Sequence, residues 1–149
     1  VLLALLPLLA LWTHTPTPSP VPQVTVNELK PRLLLPEVFR ARCGAKAIDA
    51  CTRFIGYKLT ARCTSNDGLW NIASAAEFTP MIMMVNTTRY RHELEHVQDV
   101  KTLAERYLLD LENRTFTTLS TCEQEATNER LLFKKRMQDF AEESNRLLR

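Results

Sequence analysis

The sequence predicts an α+β domain in which a small antiparallel sheet is followed by two long helices. Apolar and polar residues alternate through the first half of the chain, as at Tyr57, Leu59, Ala61 and Cys63. Ser65-Asn66-Asp67-Gly68 is a turn signal that joins two such stretches. The second half instead repeats its apolar residues at helical spacing and carries few turn residues. Strands gathered before helices are the pattern of an α+β fold.

Taken in order, Val1 to Trp12 is an apolar run rich in Leu. At about 12 residues it is too short to span a bilayer unaided and fits the apolar core of an export signal. Thr13 to Pro22 reads as an extended, Pro-rich linker. Residues 1–22 are therefore expected to be a signal or anchor segment with its linker, and residues 23–149 the folded domain. The expected location is secreted or periplasmic, with membrane contact only through an uncleaved N-terminal segment.

Within the domain, Val24 and Val26 open the β-rich half, and Trp70, Ile72 and Phe78 mark the stretch after the turn. Pro80 is expected to open a separate short buried strand over Met81 to Val85. A helix is predicted from Thr87 or Thr88, either of which can cap it, to about Asn113. A second is predicted from Ser120 or Thr121 to the end of the chain, with Glu123 in its first turn.

Cys43, Cys51, Cys63 and Cys122 form an even set that allows three pairings. Cys43–Cys51 as a local staple and Cys63–Cys122 as a tie between the two halves are favoured. Their spacing is unlike a paired C-x-x-C zinc site. Asn86-Thr87-Thr88 and Asn113-Arg114-Thr115 match a glycosylation sequon, which matters only in a eukaryotic secretory pathway. The net charge is +2, with Lys and Arg scattered among Asp and Glu, which argues against nucleic acid as a partner.

The chemistry concentrates in His92-Glu93-Leu94-Glu95-His96. Histidines at i and i+4 lie on one helix face about one turn apart, so both imidazoles can reach one ion. A zinc ion held this way acidifies a bound water, and a neighbouring carboxylate can take the proton. The segment fits both H-E-x-x-H and the inverted H-x-x-E-H pattern. Helical geometry favours the first. Val97, Val100, Ala104, Tyr107, Leu108 and Leu111 define an apolar arc that contains Glu93 and His96, with His92 at its edge and Glu95 pointing away. Glu93 is thus the expected general base and Glu95 a solvated residue.

The histidines are His14, His92 and His96, and the first lies in the export segment. The third metal ligand should then be a carboxylate from the second helix. Its apolar stripe, which includes Cys122, Ala126, Phe133 and Met137, has Glu129 at its centre and Glu125 on its flank. Glu125 and Glu129 are both expected at the metal, one as ligand and the other supporting a histidine, with pairing to Arg130 or Lys as the alternative.

His92-Glu93-x-x-His96 on a helix after a strand resembles the zincin metallopeptidases. Gln124-Glu125-Ala126-Thr127-Asn128-Glu129 resembles the N-E-x-x-x-D element of the branch with a glutamate ligand, and Arg91 to Glu129 is similar to small secreted bacterial zinc proteases. The resemblance implies a minimal zincin-like metallopeptidase domain, Zn2+, a protein or peptide substrate, Glu93 as base, and Met81 to Val85 as a substrate-lining edge strand. Gln124 and Glu129 depart from that pattern, and no clear oxyanion stabiliser follows the second helix. Tyr90, Tyr107 and Arg89 are the residues available for that role. The competing readings are an exported domain without catalysis that binds a metal or a partner protein, and a membrane-tethered interaction module.

Overall fold

The computed structural model describes residues 22–147, so the expected export segment and linker, with His14, lie outside the described residues except for residue 22. The sheet is organised by two long strands, β3 (Ala50–Asn66) and β4 (Leu69–Met84), that pair antiparallel along their length. They are joined by Asp67 and Gly68, both at positive φ (50° and 79°). A two-residue turn with both central residues in that region matches the right-handed twist of the flanking strands, which is why an Asp-Gly pair closes this hairpin.

The other edge of β4 carries three short strands in succession. β5 (Thr115–Phe116) pairs with Trp70 and Asn71, β1 (Gln23–Val26) with Ala75 to Phe78, and β2 (Arg32–Leu33) with Met83 and Met84. β1 and β2 run parallel to β4, so the sheet is mixed and not the antiparallel one expected. Helix α1 (Pro36–Cys43) was not expected from the sequence. Its signals are local: Pro36 in the first turn with Glu37, Arg40 and Arg42 in the last turn, and Gly44 beyond it at φ 87°.

Met81 to Val85 is not a separate edge strand. Met81 to Met84 is the last part of β4 and lies between β3 on one side and, at Met83 and Met84, β2 on the other. The strand continues through Pro80 because that residue's missing N–H falls on the edge where β1 has ended and β2 has not begun. The Phe78, Pro80 and Met84 carbonyls all point to the side of β1 and β2, accepting from Asn27, Lys30 and Leu34. Residue 80 falls between the end of β1 and the start of β2, so no ladder bond is lost there.

A bulge in β3 sets which of its side chains face the helices. Ile55 pairs with Thr79 but Lys58 pairs with Glu77, so β3 carries one extra residue there, at Gly56 with φ 65°. Buried Phe54 before the bulge and buried Leu59 and Ala61 after it then share one face, although their positions differ in parity. Thr52 joins that face two residues before Phe54.

Helices α2 (Tyr90–Glu112) and α3 (Leu119–Leu147) cover this face, and their boundaries lie close to the expected ones. The cap differs: the Asn86 side chain accepts from the Thr88 backbone N–H and starts a 3₁₀ turn, Thr87–Arg89, that leads into α2. Val100, Leu108 and Leu111 from α2 meet Phe78 and Ile82 from β4 and Phe133 and Met137 from α3 in one core. α2 and α3 run antiparallel, since His96 meets Ser144 while Tyr107 meets Glu129.

Both favoured disulfides are present. Cys43–Cys51 ties α1 to the start of β3, and Cys63–Cys122 ties β3 to α3 across the hairpin and helix layers. Such bonds persist in oxidising compartments. Among the described residues, no helix is long and apolar enough to cross a membrane.

Candidate metal centre

The first turns of α2 carry the candidate site. His92, Glu93 and His96 each offer a donor atom, and these atoms lie within 4.8 Å of one another. The imidazole rings are 4.7 Å apart between centroids and inclined at 83°. Helical geometry accounts for their graded burial. Glu93 is 5% exposed and His96 9%, whereas His92 is half-buried at the margin of the apolar arc. Glu95 is exposed, its carboxylate 3.9 Å from His92 Nδ1, on the wet side as the helical arc indicated.

Each buried polar atom of the site has a partner. Thr52 Oγ1 on β3 donates to Glu93 Oε2 at 2.6 Å, so the strand whose parity the bulge sets also orients the carboxylate. His96 Nδ1 lies 2.8 Å from Ser144 Oγ on α3. Ser144 Oγ donates in turn to Asp99 Oδ2 at 3.3 Å. Burial pushes the His96 imidazole below its usual pKa, opposed by the Glu93 charge and aided by His92. The neutral ring that results is the form that binds a metal.

These groups open onto a cleft of about 610 Å³ between the start of β3, the start of α2 and the end of α3. Lys46, Arg53 and Arg89 put positive charge on its lining and Asp49 puts negative charge there. The Cys43–Cys51 disulfide borders the same cleft and holds the segment between the two cysteines beside it. The outer edge of β3 pairs with no strand among the described residues, and Ala50 to Phe54 line the cleft. The strand beside the site is therefore β3, and not the Met81 to Val85 stretch expected to line it.

Glu125 and Glu129 are placed elsewhere. Glu129 is 3% exposed and accepts from Tyr107 Oη at 2.7 Å, from Arg136 Nη2 at 3.1 Å and from Arg114 Nη1 at 3.3 Å. Glu125 pairs with the same Arg114. Burial raises the Glu129 carboxyl, but the hydrogen bonds from Tyr107 and Arg136, with the charge of Arg136, outweigh it and hold the group below its usual value. Glu129 and Ser144 are about four helical turns apart on α3, roughly 22 Å at 1.5 Å per residue. The structure thus brings neither glutamate to the histidines, which corrects the expectation that one of them completes the metal site. The stripe that contains Glu129 is buried, as its spacing indicated, but the cations beside it come from the α2–β5 connection and the next turns of α3.

The same stripe, running through Phe133 and Met137, brings Ser144 to the histidines at 0% exposure. A hydroxyl recurring on an apolar stripe was the signal for it in the sequence. Of the three residues considered for oxyanion stabilisation, Arg89 lines the cleft, while Tyr107 is engaged by Glu129 and Tyr90 packs against the core.

Two imidazole nitrogens are donors that suit zinc and other divalent ions of borderline softness, and the Glu93 carboxylate lies beside them. Their convergence, together with the neutral state favoured for His96, fits such an ion. Comparisons with protein-family models, with curated proteins and with solved structures give no match.

Proposed function

We propose that this protein is a secreted or periplasmic metal-dependent hydrolase of peptide bonds, in which His92 and His96 hold a zinc ion and Glu93 is the general base. The convergence of His92, Glu93 and His96 in one cleft, with Glu93 buried and oriented by Thr52, is the observation that carries this reading. When bound, zinc supplies Lewis acidity and brings the pKa of water towards neutrality. Glu93 takes the proton of the attacking water and delivers it to the departing nitrogen. Thr52 keeps one carboxylate oxygen in place, and Glu93 lines the cleft. The free edge of β3 supports a peptide as substrate, because an extended chain can add to an open strand through backbone hydrogen bonds.

A second reading is favoured by the distance of Glu125 and Glu129 from the histidines: the domain binds a metal ion without turning over a substrate. Zinc content, measured on the full chain and on His92→Ala, tests the shared premise. About one zinc per chain, lost in the variant, supports the site. Hydrolysis of a mixed peptide library then separates the readings. A hydrolase loses rate by about 10²–10⁴-fold in Glu93→Gln while retaining zinc, whereas a binding domain cleaves nothing in the unaltered protein.

A further inference from the structure

His96 meets a hydroxyl before it meets anything else on its Nδ1 side, and the hydroxyl meets a carboxylate. Ser144 Oγ is 2.8 Å from His96 Nδ1 and 3.3 Å from Asp99 Oδ2. A serine has one proton to give, and a carboxylate can only accept. The Ser144 proton therefore points to Asp99, and the Ser144 oxygen is left to accept from His96. That arrangement requires the proton of the neutral imidazole to sit on Nδ1. The Nε2 lone pair is then the one available to a metal.

We propose that Asp99 and Ser144 are a positioning pair that holds His96 in the Nδ1–H tautomer and so strengthens metal binding through Nε2. The proposal rests on the reading of His92 and His96 as metal ligands. Its geometry is nonlocal: Asp99 is one turn after His96 on α2, but Ser144 comes from the far end of α3. The chain Asp99–Ser144–His96 inserts a hydroxyl into the carboxylate–histidine pairing that commonly orients metal-binding imidazoles. Ser144 itself is 0% exposed, so its oxygen is not presented to a substrate and the three residues are not a nucleophilic triad.

The test uses the full chain with 15N-labelled histidine, metal-free and at neutral pH, with His96 assigned by elimination from His14→Gln and His92→Gln. Long-range proton–nitrogen correlation spectra distinguish the two tautomers. The expected result is a single Nδ1–H tautomer in the unaltered protein and a mixture in Ser144→Ala, with Ser144→Thr restoring the single form. Zinc affinity by competition with a chelating dye should fall about 10–100-fold in Ser144→Ala and recover in Ser144→Thr. Asp99→Asn is the second variant, since Asp99 is only half-buried and tolerates replacement more readily. An amide nitrogen facing Ser144 turns the hydroxyl proton towards His96 and should move the imidazole proton to Nε2. An Nε2–H tautomer in the unaltered protein, or zinc affinity unchanged in both Ser144→Ala and Asp99→Asn, overturns the proposal. A fixed Nδ1–H tautomer with no zinc uptake would support the hydrogen-bond assignment while sinking the metalloenzyme reading.

Discussion

Replacing Glu129 with Gln asks whether this buried carboxylate stabilises the helix pair or serves the metal. Gln keeps the shape and one acceptor for Tyr107 Oη, but it loses the charge that faces Arg136 and Arg114. Breaking a fully buried ion pair costs about 3–5 kcal/mol. Here both guanidiniums are 38% exposed and can regain water, which lowers the cost. One charge-assisted hydrogen bond of about 1.5–3 kcal/mol is lost outright, and the Gln amide presents donors to a donor-rich surrounding. The net expectation is about 2–3 kcal/mol. For a domain of this size about 3–5 °C of melting temperature corresponds to 1 kcal/mol, so Tm should fall by about 10 °C. Thermal unfolding by circular dichroism at neutral pH, with disulfides intact, measures the loss. Zinc content measured on the same samples should be unchanged. A Tm within about 2 °C of the unaltered protein would refute the assignment, and loss of zinc with Tm preserved would return Glu129 to the metal.

Three further outcomes follow from the same geometry. Because the Glu129 carboxyl is held below the usual value of a carboxylate, the folded state binds its proton less readily than the unfolded chain does. Its contribution to stability is complete above that value and is lost as pH falls through the lowered one. Urea unfolding between pH 6 and 3 should show the unaltered protein losing more stability than Glu129→Gln, and parallel curves would exclude Glu129 as the source. Cys63–Cys122 closes a loop with a sequence separation of 59, which chain entropy values at about 4 kcal/mol. Replacing both cysteines with Ser should lower stability by roughly that amount in urea titrations, and an unchanged midpoint would mean that the tie constrains little. Thr52→Val removes the hydrogen bond to Glu93 without changing shape. In peptide cleavage it should lower kcat about tenfold with KM unchanged, and a change confined to KM would show that Thr52 contacts substrate instead.

Much of the helical half was legible because helix periodicity is local. Residues three and four apart share a face whatever the rest of the chain does. That is why the arc holding Glu93 and His96, the exposure of Glu95 and the approximate bounds of α2 and α3 could be read directly. The favoured disulfides were legible for a related reason: one closes a short loop and the other joins the strand half to the helix half. Pro80 misled, because its effect depends on which side of β4 lacks a neighbour. The direction of β1 and β2 depends on connections that alternation of apolar residues does not encode.

The sequence by itself determined that His92, Glu93 and His96 share a helix face and that Glu129 and Ser144 recur on the buried stripe of α3. Which of them meet was decided by tertiary structure. The antiparallel run of α3 past α2 and its axial offset place Ser144 against His96 and Glu129 against Tyr107. Periodicity specifies the angle of a side chain about its own helix axis, but not where along a neighbouring helix it will lie. That displacement depends on the whole packed interface and on the Cys63–Cys122 tie, which joins residues far apart in the chain.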